Sequence, residues 1–169
     1  MQVQYRKLDG TTIENPAAYV LSYLRAYPAV TLSVGSDSQN IGGQTIYVTV
    51  IAFRHQGKGV HYIYHKRREP LINDMITRLF KEAQDSIETA EFLRKKEVNI
   101  PITIDVDYNE DQQFASHKLI PMVKGWILGL GYAMNTKQNI QIASIAADTC
   151  FRCDSAHSAI FGKALVLWL

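Results

Sequence analysis

The chain has 169 residues, of which 47% are hydrophobic and 20% charged, a size and composition that fit one compact domain with a substantial core. Its 18 Lys and Arg against 16 Asp and Glu give a net charge of +2, too small a bias to demand a nucleic-acid partner or to exclude one. The start, Met1-Gln2-Val3-Gln4-Tyr5-Arg6, lacks the apolar run of a signal peptide and no stretch approaches membrane length, so the expectation is a cytoplasmic chain with no membrane partner.

Asn15-Pro16 followed by Ala17 to Leu24 predicts a short helix, with Asn as its cap and Pro in its first turn. Pro28 ends it. Alternation over 30–36 predicts a first strand, Ile41-Gly42-Gly43 a turn, Thr45 to Phe53 a second strand, and the Gly57-Lys58-Gly59 turn a third over Val60 to His65, the three forming an antiparallel meander. Lys66-Arg67-Arg68 closes that strand as a local basic cluster. Apolar residues from Ile72 to Ala90 at helical spacing predict a long helix over 71–96. Ile100 to Asp107 reads as a fourth strand, reached across that helix and so parallel to the first. A helix from Lys118 or Pro121 to Leu130, a short strand at 132–135 and a final helix over 139–152 complete a mixed five-stranded sheet flanked by helices. The apolar tail from Ala164 to Leu169 is expected to pack on the core or in a homodimer interface.

Four carboxylates stand out against this pattern. Asp37 closes the first strand on the face opposite Leu32 and Val34, and Asp105 and Asp107 share the face of the fourth strand opposite Ile102, Ile104 and Val106. Adjacent strands lie only ~4.8 Å apart, so Asp37 and Asp105 are placed to share an ion, with Asp107 in reserve. Glu82 borders the apolar stripe of the long helix, whereas Glu88 faces water and Glu91 lies on the other border. Asp148 belongs to a narrow polar stripe, with Gln141, Ser144 and Arg152, on an otherwise apolar helix, where a carboxylate is costly unless paired or metal-bound. Turn formation, helix capping and a salt bridge from Arg152 to Asp148 are the structural alternatives. Asp105-Val106-Asp107-Tyr108-Asn109 also opens like a calcium loop, but Glu110 stands where that loop needs Gly and Ser116 where it needs Glu. Cys150 and Cys153 form a lone C-x-x-C, which with His157 offers three zinc ligands or a redox pair; packing of small residues is the simpler account.

The chain resembles the ribonuclease H-like superfamily, and most closely its bacterial YkuK-type branch. The marks are Gly35-Ser36-Asp37-Ser38-Gln39, Glu82 followed by Ser86 and Ala90, Ile104-Asp105, Ser116, Gly129-x-Gly131-Tyr132, Lys137, and Ala143-Ser144 leading to Ala146-Ala147-Asp148. The resemblance implies a single ribonuclease H-like domain over 1–169, its order of three antiparallel strands followed by βα units matching the order read above. It further implies a metal-dependent nuclease in which Asp37, Glu82, Asp105 and Asp148 bind two Mg²⁺ or Mn²⁺ ions and hydrolyse a phosphodiester. Asp37 and Asp105 would be shared ligands, Ser38, Gln39 and Lys137 would contact substrate, and Lys118 and Arg152 are further phosphate candidates. The substrate would be RNA, an RNA–DNA hybrid or structured DNA. A non-catalytic nucleic-acid-binding or assembly module on the same fold is the alternative. The acidic run from Asp107 to Asp111, and Gln138 where the branch suggests Pro, depart from the pattern.

Overall fold

Two glycines at positive φ, Gly42 at 59° and Gly43 at 77°, close the tight hairpin on which the sheet is built, a backbone that residues with a Cβ rarely adopt. The computed structural model describes residues 4–57, 59–137 and 141–153. On either side of that turn β3 (Thr31–Ile41) and β4 (Gln44–His55) pair without interruption, and β5 (Gly59–Pro70) continues the antiparallel meander. These strands run well past their predicted ends. The cross-strand ladder carries the chain through Ser38-Gln39-Asn40 and through the basic cluster, where alternation had faded.

Among the described residues the predicted five strands are seven. The two additions, β1 (Tyr5–Arg6) and β2 (Thr12–Ile13), are two-residue strands, too short to leave a periodic signal. They lie beyond β5, joined across the Asp9-Gly10 turn, a dipeptide that is itself a hairpin signal. The order across the sheet is β2-β1-β5-β4-β3, followed by β6 (Ile102–Asp105), parallel to β3, and β7 (Ala133–Asn135), parallel to β6.

Helix α1 (Pro16–Ala26) starts as expected, with the Asn15 side chain accepting from Ala18 N. The long helix α2 (Met75–Lys95) begins four residues later than predicted, because Asp74 accepts from Thr77 N and caps it there. A 3₁₀ turn over Ala115–Leu119 leads into α3 (Ile120–Gly129), with Pro121 in its first turn. The last helix, α4, spans Ile142–Cys153.

Strand alternation divides the core into two layers. Leu32, Val34, Ile51, Phe53, Ile63, Ile102 and Ile104 face α1, α2 and α3. Among the described residues, Val48, Val50, Ala52, Tyr62 and Tyr64 face α4, which buries Ala143, Ala146, Ala147 and Cys150 against them. The C-x-x-C therefore contributes at least Cys150 to packing; the side chain of Cys153, His157 and the apolar tail proposed for dimerisation lie outside the described residues. Among the described residues no helix is long and apolar enough to cross a membrane.

Gly35 is where α4 comes closest to the sheet. A Cβ there would lie 3.0 Å from both Ala143 Cβ and Ser144 N, and the second of these is backbone that cannot swing aside. Gly35→Ala is expected to destabilise the protein by about 1–3 kcal/mol through overpacking, read as a lower urea midpoint at unchanged m value.

Candidate metal centre

Strand β6 ends at Asp105, paired with Gly35, while β3 continues six residues further to Ile41. Beyond Gly35 the β6 side of β3 is open. This opening lies at the carboxyl ends of two neighbouring parallel strands, the position where open α/β sheets bind their ligands. Asp37 sits in the middle of β3, not at its end as the sequence suggested, and is the first residue on the α4 face past the opening.

Three further acidic side chains, from different elements, lie within electrostatic reach of it. Asp107 lies two residues past the end of β6, Asp148 comes from the middle of α4, and Glu82 comes from α2 on the opposite face of the sheet. Glu82 is 5% exposed, and Ser38 Oγ donates to its Oε1 at 2.6 Å. Ser38 and Asp37 are consecutive and so point to opposite faces, which puts Glu82 and Asp37 on opposite sides of β3. Gln39 Nε2 donates to Asp148 Oδ1 at 3.3 Å, linking α4 to the same strand. Asp107 lies 3.4 Å from Lys137 Nζ.

The mutual field of these groups shows in their protonation. Burial raises the Asp37 carboxyl to about 6, the Ser38 N–H pulls it back, and the charges of Asp107 and Asp148 push it up again. Burial likewise raises Glu82 to about 8; its hydrogen bond from Ser38 and the charge of Arg78 oppose the rise, and Asp37 and Asp107 add to it. Glu82 thus feels Asp37, and both feel Asp107.

Asp105 is placed differently. It is 1% exposed, its Oδ2 accepts from Ala143 N at 2.8 Å and its Oδ1 from Asn135 Nδ2 at 3.1 Å. Burial raises it to about 6, against the lowering effect of donors from Ala143, Asn135, Ser33 and Ile142. Its carboxylate holds the first turn of α4, where an anion is favoured by the unpaired N–H groups of the helix start. The strand periodicity placed Asp105 and Asp107 correctly on one face but could not tell which of them meets Asp37. The signal was the register: with Gly35 opposite Asp105, the residue level with Asp37 is Asp107.

Among the described residues no group of three or more His, Cys, Asp or Glu side chains is gathered closely enough to hold a metal ion. The donor chemistry nonetheless suits a hard cation, being carboxylate oxygen throughout.

Other sequence candidates go elsewhere. Glu91 is engaged by the Tyr132 hydroxyl at 2.6 Å and by Arg94 at 2.5 Å, away from this group. Ser116 Oγ accepts from Asn109 N and shapes the loop after β6. The basic cluster is split by the pleat: Lys66, level with Val48 and Asp37, donates to Cys150 O, and Arg67 on the other face pairs with Asp85 and Glu69. The side chain of Arg152 and residue Gln138 lie outside the described residues. A cavity of about 1240 Å³ between β1, β5, α1 and α2 is lined by none of the acidic group.

A family model for ribonuclease H-like proteins matches residues 18–152, well over half of the chain. The chain belongs to the ribonuclease H-like family. That membership covers every element described except β1, β2 and the start of α1, and it points to nuclease or other nucleic-acid-related work, typically with divalent metals. A comparison with curated proteins finds no match.

Two outcomes are expected. Asp105→Ala leaves the Ala143 N–H buried without an acceptor and should cost about 1–3 kcal/mol in urea unfolding, whereas Asp107→Ala should stay within about 0.5 kcal/mol. For the metal-free protein, Glu82 and Asp37 have folded pKa values above their ordinary ones, so between roughly pH 4 and 8 the native state binds more protons than the unfolded chain. Stability should therefore be greatest below that window and fall as pH rises through it. Glu82→Gln should flatten the fall between about pH 6 and 8, as measured by urea midpoints in the presence of a chelator.

Proposed function

We propose that this ribonuclease H-like protein is a divalent-metal-dependent nuclease whose ion-binding group is Asp37, Glu82, Asp107 and Asp148, with Asp105 anchoring α4 beside it. The observation that carries the reading is that Asp37, on the open stretch of β3, is raised to about 6 by burial and by the charges of Asp107 and Asp148, while Glu82 is raised by burial and by the charges of Asp37 and Asp107. Like charges brought within one another's field are unfavourable unless a cation joins them. Within the family, the Gly35-Ser36-Asp37-Ser38-Gln39 run supports the YkuK-type branch.

When bound, Mg²⁺ or Mn²⁺ supplies an activated water and charge stabilisation at the phosphoryl oxygens. The chain's own part is orientation. Ser38 fixes Glu82 by hydrogen bond, Gln39 fixes Asp148, and Asp105 sets where α4 begins and hence where Asp148 stands. Glu82 retains its proton near neutrality without a cation, so metal binding is expected to release protons and to strengthen as pH rises from about 6 to 8. Lys137, 58% exposed beside Asp107, is placed to meet a phosphate at the rim.

A panel of single-stranded RNA, RNA–DNA hybrid, duplex DNA and branched DNA, each with Mn²⁺ and Mg²⁺, tests the proposal. Wild type should cleave at least one polymer, and Asp37→Asn and Asp107→Asn should each lose at least about 10³-fold in kcat/KM. Asp105→Asn, which keeps an acceptor for Ala143, should retain measurable activity. Loss in Asp105→Asn with Asp107→Asn unimpaired would exchange the two roles; cleavage of nothing by wild type would leave the binding-module alternative in its place.

A further inference from the structure

Arg78 lies one turn before Glu82 on the same side of α2, within electrostatic reach of both Glu82 and Asp37. It is half-buried, its Nε is buried without a hydrogen-bond partner, and it makes no ion pair among the described residues. Arginines that serve only to neutralise buried acids close onto them, as Arg67 does onto Asp85 at 2.6 Å. Arg78 stands near two carboxylates and closes on neither.

A second orphan lies in the same neighbourhood. The Tyr47 hydroxyl, on the strand next to Asp37 and within the field of both Glu82 and Arg78, is also buried with no partner. Buried polar groups are nearly always satisfied, so two unsatisfied donors beside one carboxylate mark a place where an oxygen-rich group belongs. A guanidinium offers a planar fork of donors, and phosphate is the anion that matches it.

We propose that Arg78 binds a non-bridging oxygen of the phosphodiester at the Asp37–Glu82 group, with the Tyr47 hydroxyl as a second donor. The assignment rests on the nuclease reading for its ligand and goes beyond it in naming a residue outside the carboxylate set. A phosphodiester carries one negative charge into a site that already holds four acids, and Arg78 offsets that repulsion on the α2 side. Removing it should weaken phosphate binding while leaving cation binding equal or stronger, since a positive charge near the carboxylates has been lost.

The test compares full-length wild type, Arg78→Ala and Arg78→Lys in three measurements. These are Mn²⁺ affinity by calorimetry, affinity for the fluorescein-labelled polymers of the panel, and competition by inorganic phosphate. Arg78→Ala should bind Mn²⁺ at least as tightly as wild type, bind the polymer at least tenfold more weakly, and need at least tenfold more phosphate for half-displacement. Where wild type cleaves, kcat/KM should fall by about 10²-fold or more, with partial recovery in Arg78→Lys. Unchanged polymer and phosphate affinities would overturn the proposal, as would a loss of Mn²⁺ affinity in Arg78→Ala, which would make Arg78 a support for Glu82. If wild type binds a polymer but cleaves none, the nuclease reading falls while polymer and phosphate affinities still decide Arg78; if it binds none, both fall.

Discussion

The arrangement depends on one inequality of length: β6 stops at Asp105 while β3, its parallel neighbour, runs on to Ile41. A strand edge inside a sheet is normally closed by its ladder. Here six residues of β3 are left open on one side. Glu82, which belongs to the α2 face, and Asp37, which belongs to the α4 face, lie on either side of this open stretch, and the charge of Asp37 is felt by Glu82. The gap also sets the level of the chain after β6, putting Asp107 beside Asp37 and leaving Asp105 one step below.

Holding acidic groups in such a place requires rigid supports, and these are small and polar. Ser86 on α2 lies 3.1 Å from Ser36 Oγ and donates to Glu82 O, and Ser36 donates to Thr49 Oγ1 at 2.9 Å. This buried seam ties α2 to β3 and β4 directly beneath Glu82. With Ala83 and Ala90 it lets the helix lie close to the sheet, so that the Glu82 carboxylate arrives at Ser38 rather than short of it. On the other face Gly35 plays the matching part, admitting the start of α4 against β3, and Asp105 fastens that start in place. Helix positions on both faces are thus set by residues within one turn of the acidic group, and a change in packing there is a change in the site.

Much of this was legible in the chain. Strand alternation assigned Asp37, Asp105 and Asp107 to one face, because the period of two follows directly from the pleat. The helical period put Glu82 on the border of α2's buried stripe and left Asp148 in a polar stripe on an apolar helix. Less legible were the lengths of β3 and β5, since polar residues such as Ser38, Asn40 and Arg68 carry no apolar alternation and are held in strand by their partners. The outer strands β1 and β2 left only the Asp9-Gly10 turn as a trace. Arg78 gave no signal at all; its meaning comes from what it fails to contact.

The sequence by itself determined which residue types are present and which face of its own element each one occupies, for these are properties of a local backbone period. It also determined the family, through motifs spread along residues 18–152. Only the tertiary structure decided which acids meet, because that depends on register between strands distant in the chain. Pairing Gly35 with Asp105 instead of with Asp107 is a shift of two residues that keeps every side chain on its face and therefore leaves no mark in the pattern, yet it changes which aspartate stands beside Asp37.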